Sequence, residues 1–182
     1  MSQRARNYVQ LIKFAILNQS KGEKMMGIEI ERKFLLKNDQ WRTRGDDPLL
    51  LRQGYIKNSR KGVVRIRTAG TRGFITVKGE TRGASRLEYE YEIPLEDAGE
   101  MLENLCEKPL IEKKRVSIEH RGFHWVIDEF FGENQGLLVA ELELASEDQP
   151  FEVPPWLGRE VTWDPKYLNA NLIKNPYSRW QK

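Results

Sequence analysis

From residue 27 onward, apolar and polar positions alternate in short runs, the pattern of strands that turn one face to a core. Runs over 28–36, 49–57, 63–68, 74–78, 86–93, 110–119, 123–130 and 137–144 each read as one strand. The turn at 70–73, bounded by Gly70 and Gly73, joins the third run to the fourth, and His120-Arg121-Gly122 folds the sixth back on the seventh. One stretch breaks the period. After Pro94, the positions Met101, Leu102, Leu105 and Cys106 recur at helical spacing, which predicts a helix over 96–107 with that stripe in the core. Pro154-Pro155-Trp156-Leu157-Gly158 reads as a turn and 169–174 as a short terminal helix, with Trp156 and Trp163 packing this tail against the rest. The expected fold is mainly β (α+β): an eight-stranded antiparallel closed β-barrel with a few peripheral helices.

The N-terminus follows a different pattern. Residues 8–17 are apolar-rich but carry Lys13, with Val9, Ile12 and Ile16 near helical spacing, and a polar run follows. A secretory signal would need an uninterrupted apolar core and a small-residue cleavage site. Because strand patterning starts abruptly at Gly27, residues 1–25 are expected to be a dispensable extension, and 26–182 a single domain.

Composition narrows the function classes. A net charge of +3, from 30 basic and 27 acidic residues, is too small to indicate a nucleic-acid binder, so the placement of each sign matters more than the balance. One cysteine excludes an intrachain disulfide and fits a reducing, cytoplasmic setting. No apolar run reaches membrane-spanning length.

Charge parity within the strands is the strongest signal. Residues i and i+2 share a strand face about 7 Å apart. Glu29, Glu31 and Lys33 therefore share one face, as do Glu88, Glu90 and Glu92, and Glu141 with Glu143. Basic residues repeat the pattern in Arg65 with Arg67, Lys113 with Arg115, and Lys78 beside Thr76, while Asp128 opposes Trp125 and Ile127. A half-exposed sheet would also carry charge on its wet face, but like charges along one strand repel, and ordinary surfaces mix the signs. Segregation of sign by strand points instead to an inward-facing charged lumen, with apolar outer faces covered by the helix and tail. Such a lumen is costly unless its charges are paired or filled. Clustered carboxylates fit Mg²⁺ or Mn²⁺, and facing Arg and Lys fit a polyanion, so a metal-bridged polyphosphate would satisfy both.

Glu29-Ile30-Glu31-Arg32-Lys33 resembles the E-x-E-x-K signature of CYTH-domain proteins, the triphosphate tunnel metalloenzymes, in their short bacterial form. The resemblance continues through Arg52-Gln53-Gly54-Tyr55, Arg65-Ile66-Arg67, Thr76-Val77-Lys78, 88–92, Lys113-Lys114-Arg115, Asp128 and Glu141-Leu142-Glu143, and covers nearly the whole chain from Gly27. It implies a barrel with a tunnel and metal-dependent chemistry on triphosphates. By position it implies metal ligands at Glu29, Glu31, Glu141 and Glu143, with Glu88 and Asp128 on the acidic side. Phosphate contacts fall to Lys33, Arg65, Arg67, Lys78, Lys113 and Arg115. Catalytic roles fall to Lys33, to Glu90 orienting water, and to Tyr55 in proton transfer.

Within that resemblance the expected reaction is hydrolysis of inorganic tripolyphosphate or a nucleoside triphosphate. Cyclisation of ATP to cyclic AMP, thiamine triphosphate as substrate, and polyphosphate binding without turnover stay open beside it. A nucleic-acid-binding barrel would need aromatic platforms among its basic residues, whereas Trp125, Tyr89 and Tyr91 fall on the apolar faces. A second copy of the chain would give further cover to an apolar barrel exterior. Cys106 reads as a buried, inert thiol, and His124 shares a strand face with Asp128.

Overall fold

The alternating runs form strands because their β-branched and aromatic residues suit a pleated, half-buried surface. The computed structural model describes residues 30–59, 62–79, 88–146 and 148–180; the N-terminal extension and Glu29 lie outside the described residues. The strands are β1 (Ile30–Leu36), β2 (Leu49–Ser59), β3 (Gly62–Ala69), β4 (Arg72–Gly79), β5 (Glu88–Ile93), β6 (Ile111–His120), β7 (Phe123–Phe130), β8 (Leu138–Leu144) and β9 (Leu157–Glu160). Among the described residues two α-helices accompany them, α1 (Leu95–Asn104) and α2 (Asn169–Lys174). All nine strands belong to one antiparallel sheet in the order β5-β4-β3-β2-β6-β7-β8-β1-β9.

Two expectations about the sheet are revised. The stretch from Pro154 reads locally as a turn, yet it leads into a ninth strand pairing with β1 through Phe34↔Glu160 and Leu36↔Leu157. Four residues are too few to display an alternation, and the strand is held by tertiary pairing: Val161 N donates to Lys33 O at 2.8 Å. Closure into a barrel is not seen as a ladder. β5 and β9 end the strand order, and no pairing joins them among the described residues.

The outer face carries the main core. Trp41, Val116, Ile118, Trp125, Ile127, Ala140, Leu142 and Trp156 cluster on β6–β8, while α1 covers β3 and β4 with Ala98, Leu102 and the nearby Cys106. Glu96 and Asp97 in its first turn suit the helix dipole, and Lys108 Nζ donates to Leu102 O near its end. α1 lies close because Gly73 has no side chain; a Cβ there would stand 2.7 Å from Ala98 Cβ. Each fully buried Leu or Ile in such a contact contributes about 1.5–3 kcal/mol.

The tail departs from the outer cover expected of it. Tyr167, Leu172 and Ile173 pack with Tyr55, Ile111, Phe130 and Val139, residues that share the parity of the charged face. One end of the inner face is therefore apolar and filled by the tail, while the other end is charged. Trp156 is buried as expected, but Trp163 is 86% exposed and packs nothing down. Tyr89 and Tyr91 face outward and stay exposed.

Candidate active site

The charged residues converge because strand period and sheet order act together. A cavity of about 400 Å³ on the inner face is lined by six cationic side chains, Lys33, Arg65, Arg67, Lys78, Lys113 and Arg115, and by the carboxylates of Glu31, Glu90 and Glu141. Tyr55 and Gln53 from β2 join them, and Leu168, Asn169 and Ala170 at the start of α2 form one wall.

The ions fall into two clusters on opposite limbs of the sheet. In the first, Lys33 Nζ donates to Glu31 Oε2 and to Glu141 Oε1, each at 2.5 Å. Arg115 grips Asp128 with Nε and Nη2, both at 2.8 Å, and reaches Glu141 Oε2 at 3.2 Å. Lys113 Nζ meets Asp128 Oδ2 at 2.5 Å. In the second cluster, Glu90 accepts from Arg65 Nη2 at 3.0 Å, from Arg67 Nη2 at 3.1 Å and from the Thr76 hydroxyl at 2.7 Å. Arg65 Nε is buried without a hydrogen-bond partner, a donor left for an anion.

Protonation follows from this crowding. Burial and the neighbouring Glu141 push Glu31 up to about 7. Burial acts to raise Glu141 too, but Lys33, Lys113 and Arg115 outweigh it and hold its carboxyl well below the usual range. Burial opposes the Lys33 ammonium, yet Glu141 and Glu31 win and raise its pKa. Lys113 goes the other way, lowered by burial in spite of Asp128. Glu90 is lowered by Arg67, Thr76 and Arg65 against the effect of its burial.

The acidic positions do not all meet. Glu31 and Glu143 sit directly opposite on paired strands, but Glu143 is exposed and lies outside the cavity lining. Glu88 opens β5 opposite Lys78, and its side chain lies outside the described residues, as does Glu29. Asp128 is fully buried beneath Lys113 and Arg115. Among the described residues no three carboxylates form a preassembled cation cage. The donor set nonetheless fits a hard divalent ion: oxygen donors only, with Glu31 facing Glu143 across the strands and repelled by Glu141, a repulsion that a cation would relieve.

Two polar side chains of the floor have partners that the charge pattern does not signal. Thr76 is fully buried against Glu90, and Gln53 is buried against Tyr55. Their parity placed them on this face, but neutral residues give no charge signal. His124 pairs with Glu119 at the exposed β6–β7 turn, away from the cavity lining, and burial raises the Cys106 thiol.

Known proteins resemble this chain along most of its length. An inorganic triphosphatase of Acetivibrio thermocellus is 52% identical over 157 residues, covering 86% of this chain and all of that protein. An inorganic triphosphatase of Nitrosomonas europaea is 40% identical over 151 residues, covering 79% of this chain and 95% of that one. A crystal structure of an inorganic triphosphatase superposes with a TM-score of 0.62 at 37% identity, covering 80% of this chain and 93% of the other. A putative adenylate cyclase from Bacillus halodurans, at 19% identity and a TM-score of 0.53 over 66% of this chain and 82% of its own, shares the fold. With the CYTH domain profile matching residues 27–174, the chain belongs to the CYTH-domain family.

Proposed function

We propose that this protein is an inorganic triphosphatase that depends on Mg²⁺ or Mn²⁺ and cleaves tripolyphosphate to pyrophosphate and orthophosphate in the inner cavity. The carrying observation is the lining: six cations against three carboxylates in one cavity, with Lys33, Arg65, Arg67 and Arg115 each paired at rest with one of those carboxylates. A phosphate chain with a bound cation replaces both sets of partners at once. The 52% identity to a protein named inorganic triphosphatase supports that substrate. The activity belongs to the domain from residue 26 on, in a cytoplasmic setting.

Glu31 and Glu141 would hold the ion, with Glu29 and Glu143 as its further ligands. When bound, it supplies a Lewis acid that neutralises phosphate oxygens. Lys33, released from its two carboxylates, then turns to the phosphates. Arg65, Arg67 and Lys78 take one end of the phosphate chain and Lys113 and Arg115 the other, so that it bridges the two limbs of the sheet within a closed barrel. Asp128 keeps Lys113 and Arg115 in place as their counter-ion. Glu90, whose pKa is lowered, stays ionised and orients the attacking water by accepting its hydrogen bond. The water oxygen bonds to the terminal phosphorus as the anhydride P–O bond breaks, and the proton it sheds passes to bulk water, from which the donor to the leaving group is restored. Tyr55 and Lys33 are the proton-bearing groups that serve the departing pyrophosphate oxygen.

The test gives the purified protein tripolyphosphate, ATP, GTP and thiamine triphosphate separately, with Mg²⁺, Mn²⁺ or EDTA, and follows phosphate and cyclic AMP. Phosphate release fastest from tripolyphosphate and abolished by EDTA is expected. Cyclic AMP from ATP would replace hydrolysis with cyclisation, and tight binding without turnover would make the cavity a receptor.

A further inference from the structure

Gln53 sits mid-floor on the inner face with 2% of its surface exposed, between Arg67 of β3 and Ile111 of β6. A buried carboxamide destabilises a fold unless it is hydrogen-bonded, and a floor that only needed filling would take Leu or Met here. Its Nε2 donates to the Tyr55 hydroxyl at 3.1 Å, and Tyr55 is itself only 8% exposed. The two residues are i and i+2 on one strand, so they are same-face neighbours by covalent geometry. Their backbone is held from behind. A Cβ on the intervening Gly54 would stand 2.6 Å from Cys106 Cβ and 2.8 Å from Leu110 Cδ2, and Tyr55 O accepts from Glu107 N at 3.0 Å.

A phenol keeps its hydroxyl hydrogen near the ring plane, on one of two sides, and its oxygen both donates and accepts. An N–H arriving from one side occupies a lone pair there and turns the hydrogen to the other. We propose that Gln53 is a positioning residue, whose amide sets the direction in which Tyr55 presents its O–H so that the proton is aimed before substrate arrives. This inference rests on the proton-transfer role given to Tyr55 above. It makes Gln53 act on turnover, through Tyr55, and leaves substrate affinity to the cations around it.

The test is a two-by-two set on the full chain: wild type, Gln53→Met, Tyr55→Phe and the double variant, each assayed for kcat and KM on tripolyphosphate with saturating Mn²⁺. Losing one oriented hydrogen bond predicts a kcat fall of about tenfold in Gln53→Met, with KM within about twofold. In the Tyr55→Phe background the same change is expected to cost nothing further. Should Gln53→Met fail to fold, Gln53→Glu keeps the volume and replaces the N–H donor by an acceptor. Its added charge raises KM in both backgrounds, while its kcat loss is expected only where Tyr55 is present. Equal kcat losses in both backgrounds, or a raised KM with kcat intact in Gln53→Met, overturn the positioning role and leave Tyr55 untouched. An unchanged kcat in Tyr55→Phe alone overturns the tyrosine's role and this inference together. Absence of turnover by the wild type overturns the proposed function itself.

Discussion

Asp128→Asn tests whether the first ion cluster is held by charge or by shape. Asp128 is 0% exposed, and its carboxylate takes Lys113 Nζ at 2.5 Å and both Arg115 contacts at 2.8 Å. Asparagine keeps the volume but removes the charge, and it turns one oxygen into a donor facing cations. Lys113, 1% exposed, is then a buried ammonium without its counter-ion. Removing one partner of such a pair costs about 3–5 kcal/mol. In a domain of this size that is a fall in Tm of about 6–20 °C, at about 2–4 °C per kcal/mol. Lys113 has one escape: burial already lowers its pKa, and losing the Asp128 charge lowers it further, so the variant releases this proton at a lower pH than the wild type does. A lysine depressed in the folded state binds more protons when unfolded, so its contribution to stability rises with pH up to its unfolded pKa. The deficit of Asp128→Asn is therefore expected to narrow between pH 7 and 9, by at most about 1.4 kcal/mol per pH unit. Urea unfolding without metal at both pH values measures this, alongside Lys113→Met and the double variant. The double variant is expected to lose less than the sum of the singles, by about 0.5–3 kcal/mol. A loss below about 1 kcal/mol at pH 7, with additive singles, would refute the reasoning.

Two further outcomes follow from the geometry. Because the folded pKa of Glu31 is raised to about 7, its ionisation destabilises the metal-free protein as pH climbs from the ordinary carboxylate range through 7, and a cation relieves it. The Tm gain from Mn²⁺ should thus be larger at pH 8 than at pH 5.5 and shrink in Glu31→Gln; scanning fluorimetry finding equal gains would remove Glu31 from the ion site. Gly54→Ala places a Cβ 2.6 Å from Cys106 Cβ and should destabilise by about 1–3 kcal/mol in urea unfolding, whereas an unchanged midpoint would mean that α1 and the segment after it yield freely.

Much of the site was legible in residue parity. Strand geometry alone commits Glu31 with Lys33, Arg65 with Arg67, and Lys113 with Arg115 to common faces, because a period of two is covalent and local. What parity could not convey is that the same faces change character along their length: Ile111 precedes Lys113, Val139 precedes Glu141, and Phe130 follows Asp128, so the tail fills one end of the concavity. A covering segment from elsewhere in the chain leaves no local trace. Gln53 and Thr76 were equally silent, since a neutral side chain takes its role only from what it touches.

The sequence by itself determined the first eight strands, the helix after Pro94, the face each strand charge occupies and, through ordered motifs, the family. Tertiary structure alone decided that β2 lies beside β6 and β1 beside β8, which brings Lys33 against Glu141 across more than a hundred residues. It alone decided that a ninth strand extends the sheet, and that Asp128 lies beneath two cations while Glu143 faces water. The division is physical: alternation is set by neighbouring residues, whereas register, depth and cover are set by packing between segments far apart in the chain.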